Sequence, residues 1–171
     1  MAHLPLTGVS SPMVDEYNAE LERIAAKQER NDRFCMDIAH RVAQQSYALR
    51  SKVGAVMVKG DNILAVGYNG TPAGWNNVCE RMHDGNMVTS PDVLHAESNM
   101  IAKMSRSTQS SEGSTVYTTL SPCLECAKQM YQAGVTRVVY SEEYRDTSGI
   151  EFLRKAKLQV EQIDPERETK E

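Results

Sequence analysis

Residues 114–141 read STVYTTLSPCLECAKQMYQAGVTRVVYS. The opening STVYTTL alternates β-branched and aromatic residues and predicts a strand. Pro122 at a first turn and Gly134 at an end bracket a helix over PCLECAKQMYQAG, and VTRVVYS predicts a second strand. Strand–helix–strand alternation implies parallel strands with the helix packed on one face. Any function carried here falls at the carboxyl end of a strand and the amino end of the next helix.

Upstream, KVGAVMVKGDNILAVGYNG (52–70) holds two β-branched runs separated by KGDN, the turn chemistry of a hairpin. SPDVLHAESNMIAKMSRS (90–107) predicts a helix that begins just before His95. EYNAELERIAAKQERNDRFCMDIAHRVAQQS (16–46) predicts one long helix, or two broken near Asn31-Asp32, with Phe34, Ile38, Ala39, Val42 and Ala43 as its apolar stripe. Downstream, SGIEFLRKAK predicts a helix and LQVEQI a last short strand. The expected fold is α/β, a three-layer α/β/α arrangement in which a mixed central sheet of about five strands carries helices on both faces. Residues 1–17 are expected to form a flexible or loosely docked tail. The domain layout expected is an extension, partly flexible or helical, over 1–30, a main domain over 31–164, and a charged tail over 165–171.

Bulk properties narrow the function. A chain of 171 residues fits one domain. The net charge of −4 and pI near 5.6 argue against a nucleic-acid surface, which needs a basic excess, so a small substrate is expected. No apolar run approaches the roughly 20 residues of a membrane span. The start, MAHLPLTGVSSPMVDEY, lacks a basic segment followed by an apolar one, so the expected compartment is the cytoplasm, or the host cytoplasm for a phage-encoded chain. There a close thiol pair reads as metal-binding or redox-active before it reads as a structural bridge.

Cys123 and Cys126 are such a pair, one helical turn apart. Alone, Cys-x-x-Cys fits a redox pair or half of a four-ligand zinc knuckle as well as a catalytic metal. His95-Ala96-Glu97 at a separate helix start shifts the balance. His95, Cys123 and Cys126 give zinc three protein ligands, whereas structural sites use four; the fourth corner is left for a water that the metal acidifies. A helix amino terminus also favours the thiolate that a metal requires. Glu97, two residues after His95, need not be a ligand and is free to move protons. Cys35 reads as a small apolar filler on the first helix and Cys79 as an incidental thiol in a polar loop. Cys79 with His83 is a weak candidate for a second metal.

His95-Ala96-Glu97 with Pro122-Cys123-x-x-Cys126 resembles the zinc-dependent nucleobase deaminase signature. With KVGAVMVK, GYNGTPAG, HAESN, SPCLECAK and QAG, the chain from about Phe34 to Ile163 is similar to the deoxycytidylate (dCMP) deaminases, including those of bacteria and bacteriophages. The resemblance implies a cytidine-deaminase-like fold, one catalytic zinc per chain, and hydrolysis of dCMP to dUMP and ammonia, which supplies dUMP for dTTP synthesis. In that chemistry activated water attacks C4 of cytosine while Glu97 shuttles the proton. The resemblance further implies substrate contacts from Ala96 to the pyrimidine carbonyl, from Asn69 to the sugar, and from Lys52, Tyr144 and Arg145 to the 5′-phosphate, with Arg50 as another cation at hand. It implies a homohexamer, and allosteric regulation by dCTP and dTTP with Mg2+. Positions 47–50 read YALR, without the cysteine that some members use for a second zinc.

Rival readings are a deaminase of 5-methyl- or 5-hydroxymethyl-dCMP, of a free base or of a tRNA adenosine, or a non-catalytic zinc module. The GYNG loop and the basic residues favour the nucleotide, and a non-catalytic module predicts a fourth protein ligand.

Overall fold

The computed structural model describes residues 11–163. Its elements in chain order are α1 (Pro12–Ala43), β1 (Gly54–Lys59), β2 (Asn62–Tyr68), β3 (Glu80–His83), β4 (Asn86–Thr89), α2 (Ala96–Met104), β5 (Thr115–Leu120), α3 (Leu124–Gln132), β6 (Arg137–Glu142), α4 (Ser148–Lys155) and β7 (Gln159–Gln162). The order across the main sheet is β2-β1-β5-β6-β7. β1 runs antiparallel to both its neighbours, while β5, β6 and β7 are parallel.

Side-chain alternation along the strands builds the three layers. Val56, Val58, Tyr117 and Val139 face α1, meeting Cys35, Met36 and Ala39. Ala55, Met57, Val116 and Val138 face the other way, against Met100 and Met104 of α2, Ala127 and Met130 of α3 and Leu153 of α4. Gly67 lets α2 close on β2, because a Cβ there would run into the Ala96 carbonyl oxygen. The fold expected from the sequence is the one observed.

Four details differ. The tail expected over 1–17 is helical from Pro12, where Ser11 caps the helix by accepting from the Val14 N–H at 3.4 Å; residues 1–10 lie outside the described residues, as does the expected charged tail over 165–171. The helix then runs through Asn31-Asp32 without a break, the first of the two arrangements expected. Its buried face is Asp32, Cys35, Met36, Ala39 and Ala43, while Phe34 is 63% exposed, one residue and so about 100° around the helix from Cys35. Pro122 lies outside α3, one residue before its N-cap Cys123. Finally, β3 and β4 form a second hairpin where a polar loop was expected, turning at Asp84-Gly85 with φ of 49° and 77°.

Asp32 links α1 to the sheet. Its carboxylate accepts from Arg137 Nη1 and Nη2, both at 2.7 Å, from Tyr117 Oη at 2.7 Å and from Gln28 Nε2 at 2.9 Å. Arg137 also grips Glu161 of β7 through Nε and Nη2. One buried guanidinium thus ties α1, β6 and β7 together, with Tyr117 adding β5.

Candidate active site

The amino termini of α2 and α3 meet beside the carboxyl ends of β5 and β6. His95 and Cys123 are the N-caps of α2 and α3, both extended, so their side chains leave the helices toward the same point. His95 Nδ1 lies 3.5 Å from the Cys123 sulfur and 3.5 Å from the Cys126 sulfur. The three candidate ligand atoms lie within 4.8 Å of one another, and among the described residues no other three His, Cys, Asp or Glu side chains converge in this way. His83, weighed with Cys79 for a second metal, sits instead 3.5 Å from Asp84.

Gly149 of α4 fixes this corner from behind. A Cβ on it would run into the Pro122 carbonyl oxygen and the Cys123 backbone. Ser98, one turn on in α2, approaches the Cys126 sulfur at 3.5 Å. Sequence reasoning passed over both residues, because each acts through a contact between helices distant in the chain.

Electrostatics match a metal centre. The hydrogen bond shared with Cys126, and then that with His95, holds the Cys123 thiol down at about 3. Its hydrogen bond to Cys123 raises His95, and the proton shared with Cys123, together with burial, raises Cys126. Three groups are thus competing for protons at one point. A divalent cation replaces such protons when it binds thiolates and imidazole, and one nitrogen with two sulfurs is a donor set that suits zinc. Burial pushes the Glu97 carboxyl above the usual carboxylate range; the side chain belongs to a residue only 4% exposed.

Of these groups His95, Glu97 and Cys123 share the wall of a cavity of about 500 Å³, a size usual for small-molecule sites. His95, Ala96, Glu97 and Cys123 form its floor, and Asn69, Tyr144 and Arg145 also line it. Cys79 lines it too and is 2% exposed, buried where an incidental loop thiol was expected. Lys52 does not line it: its neighbours Ser51 and Val53 do, while Lys52 is exposed. Arg50 takes that place on the wall. Tyr144 is anchored by its N–H, which donates to Ser121 Oγ at 2.8 Å, and the Arg145 guanidinium lies 5.7 Å from the Tyr144 ring centroid.

Asn69 has two commitments already. Its Oδ1 accepts from the Val53 N–H and its Nδ2 donates to the Ser51 carbonyl, each at 2.8 Å. Each amide atom keeps one further hydrogen-bonding position. From the opposite side, Glu80 of β3 accepts the N–H groups of Leu49 at 2.9 Å and Arg50 at 3.2 Å on one oxygen. Arg50 Nη1 in turn donates to Thr89 Oγ1 of β4 at 3.1 Å.

Residues 29–142 match the family model described as the cytidine and deoxycytidylate deaminase zinc-binding region, two thirds of the chain. The chain belongs to this deaminase family. Among its relatives, the deoxycytidylate deaminase of phage T4 is 32% identical over 165 residues, covering 73% of this chain and 86% of its own. That of Saccharomyces cerevisiae is 34% identical across 77% of this chain, which spans only 44% of the yeast protein. The cyanophage S-TIM5 dCMP deaminase, solved in complex with dCMP and dUMP, superposes with a TM-score of 0.70 at 39% identity, covering 91% of this chain and all of that one. The deaminase family's zinc-binding region therefore coincides with the convergence of His95, Cys123 and Cys126.

Proposed function

We propose that this chain hydrolyses dCMP to dUMP and ammonia. The observation that carries the reading is a buried carboxyl, Glu97, on the same cavity wall as His95 and Cys123, two members of a His/Cys/Cys metal set that Cys126 completes, with Arg50 and Arg145 also on that wall. The named activity of relatives at 32–34% identity, and the dCMP bound by the cyanophage protein, support the same substrate.

His95, Cys123 and Cys126 would hold one zinc, which would supply a Lewis acid able to ionise water near neutral pH. Glu97 accepts one proton of the attacking water and passes it to the ring nitrogen, then takes the second from the oxygen added at C4 and delivers it to the amine, which leaves as ammonia as the C4 carbonyl forms. Burial suits the task, because it raises the carboxyl's affinity for a proton and so makes the ionised form a stronger base toward the attacking water. The Ala96 backbone faces the pyrimidine carbonyl, and the free positions of the Asn69 amide read the sugar. Tyr144 and Arg145 engage the 5′-phosphate together with Arg50; Lys52, outside the wall, adds long-range charge.

The same reading extends to the assembly. A homohexamer, regulation by dCTP and dTTP with Mg2+, a cytoplasmic or host-cytoplasmic setting, and a catalytic domain over 31–164 flanked by the 1–30 extension and the 165–171 tail are supported by the family resemblance alone.

Ammonia release from dCMP, CMP, deoxycytidine, dCTP and 5-methyl-dCMP, with and without added dCTP, tests the proposal. dCMP is expected to give the highest kcat/KM. Equal rates for deoxycytidine would remove the phosphate contacts, and a preference for 5-methyl-dCMP would move the assignment to a modified nucleotide.

A further inference from the structure

We propose that the β3–β4 hairpin is the phosphate-selectivity element of this site, and that Glu80 is its positioning residue. The inference rests on the nucleotide reading above and names what sets its specificity.

The segment 49–53 enters β1 without a sheet partner for its first backbone groups. Two side chains supply the missing bonds. Asn69 holds the Ser51 carbonyl and the Val53 N–H, and Glu80 holds the Leu49 and Arg50 N–H groups. Four backbone groups of a five-residue loop are thereby fixed by two residues, Asn69 just past the end of β2 and Glu80 of β3. The Arg50 side chain adds an anchor of its own at Thr89, so the hairpin grips both ends of this one residue: its N–H through β3 and its guanidinium through β4.

Anchoring matters because arginine is flexible. Fixing a long side chain on ligand binding costs rotamer entropy, and a guanidinium held in place beforehand avoids that loss. One Nη1 hydrogen bond leaves the other guanidinium donors for a ligand on the cavity side. The Glu80 carboxylate would repel a phosphate if it faced one bare. Here one of its oxygens already accepts two N–H groups, which commits that oxygen to the loop. The hairpin's base is closed by the Ser90 N–H donating to the Cys79 carbonyl at 2.8 Å. Just beyond it Leu94, the residue before His95, exchanges two backbone hydrogen bonds with Gly70, the residue after Asn69. The hairpin is thus tied both to the metal corner and to the loop it orients.

The test is the ratio of kcat/KM for dCMP to that for deoxycytidine, in wild type and in Arg50→Ala, Glu80→Ala, Glu80→Gln and Thr89→Val, with zinc content measured on each. A charge-assisted contact of this kind changes such a ratio by roughly 10- to 100-fold. Arg50→Ala and Glu80→Ala are expected to lower it by that amount, mainly through KM for dCMP. Thr89→Val should lower it by about threefold, the loss of one modest hydrogen bond. Glu80→Gln, which keeps an accepting oxygen, should restore most of the ratio, a rescue that general damage to the fold would not give. If Arg50→Ala lowers the ratio while Glu80→Ala and Thr89→Val leave it unchanged, the hairpin's role is overturned and the nucleotide reading stands. If Arg50→Ala leaves the ratio unchanged, the inference also falls. If wild type itself does not prefer dCMP, the nucleotide reading fails first, and the inference with it.

Discussion

Glu97 stands against a metal corner with almost no contact with solvent, and its neighbours explain both its burial and its use. The α2 amino terminus turns His95 toward the sulfurs and places Glu97 on the cavity wall two residues later. Glu97→Gln preserves the shape and removes the proton carrier. It should keep zinc while lowering dCMP turnover by about 10²–10⁴-fold, the usual weight of general acid–base catalysis; elemental analysis beside a steady-state assay separates the two. Zinc loss with turnover intact would remove the proton-transfer role. This part of the site was readable in the chain because metal chemistry fixes both residue type and spacing: His95-x-Glu97 and Cys123-x-x-Cys126 each lie within one helical turn. The rim was less readable. Lys52 and Arg50 are equivalent as charges in a sequence, and the path of the chain through the bend at 49–50, which leaves Arg50 on the wall and Lys52 off it, is set by tertiary contacts rather than by local pattern. Glu80 and Thr89 gave no signal, since their partners lie about 30 to 40 residues away, Leu49 and Arg50 for one and Arg50 for the other.

At the scale of elements, the metal corner depends on how closely α4 approaches the turn into α3. Gly149→Ala should push the Pro122–Cys123 backbone away, because the added methyl meets carbonyl and main chain rather than a movable side chain. The expected outcome is zinc bound at least tenfold more weakly in a chelator competition, with the far-UV spectrum retained; wild-type affinity would show that α4 does not set the position of Cys123. Which elements form was largely written in local pattern. KGDN marked the first hairpin, and Pro122 with Gly134 bracketed α3, whose chain leaves at Gly134 with φ of 79°. The β3–β4 hairpin carried the same kind of signal in His83-Asp84-Gly85-Asn86, and its short, polar strands concealed it. β3 and β4 pair only with each other, so they bury too little to produce the apolar alternation that marked β1 and β2. The helical start at Pro12 was hidden for a related reason: none of residues 12–15 is buried, so no apolar contact extended the helix predicted from Glu16 back to its Ser11 cap.

Across the whole molecule, the layers are held by apolar faces and fastened by one buried polar network. Burial would raise the Asp32 carboxyl, but hydrogen bonds from Arg137, Tyr117 and Gln28 outweigh it and hold Asp32 below the usual carboxylate range. A carboxyl lowered on folding contributes stability that is complete above its unfolded pKa of about 3.9 and is lost as the pH falls through the folded value. Asp32→Ala leaves Arg137 buried with Glu161 as its remaining carboxylate partner, and should cost about 3–5 kcal/mol in urea unfolding at neutral pH. The cost should shrink in acid below about pH 4; an unchanged urea midpoint would show that the network contributes nothing net. Sequence periodicity disclosed the mixed sheet and its layers, yet not this network. Asp32 and Arg137 are 105 residues apart, and each reads locally as an ordinary surface charge.

The claim on which the account turns is that one zinc, held by His95, Cys123 and Cys126, makes the cavity a deaminase site. Zinc titrated into chelator-treated protein, with dUMP formation from dCMP followed at each addition, tests it directly. Activity should rise in proportion to zinc and level off at about one ion per chain. Full dCMP turnover before any zinc is added, or none at saturation, would contradict it.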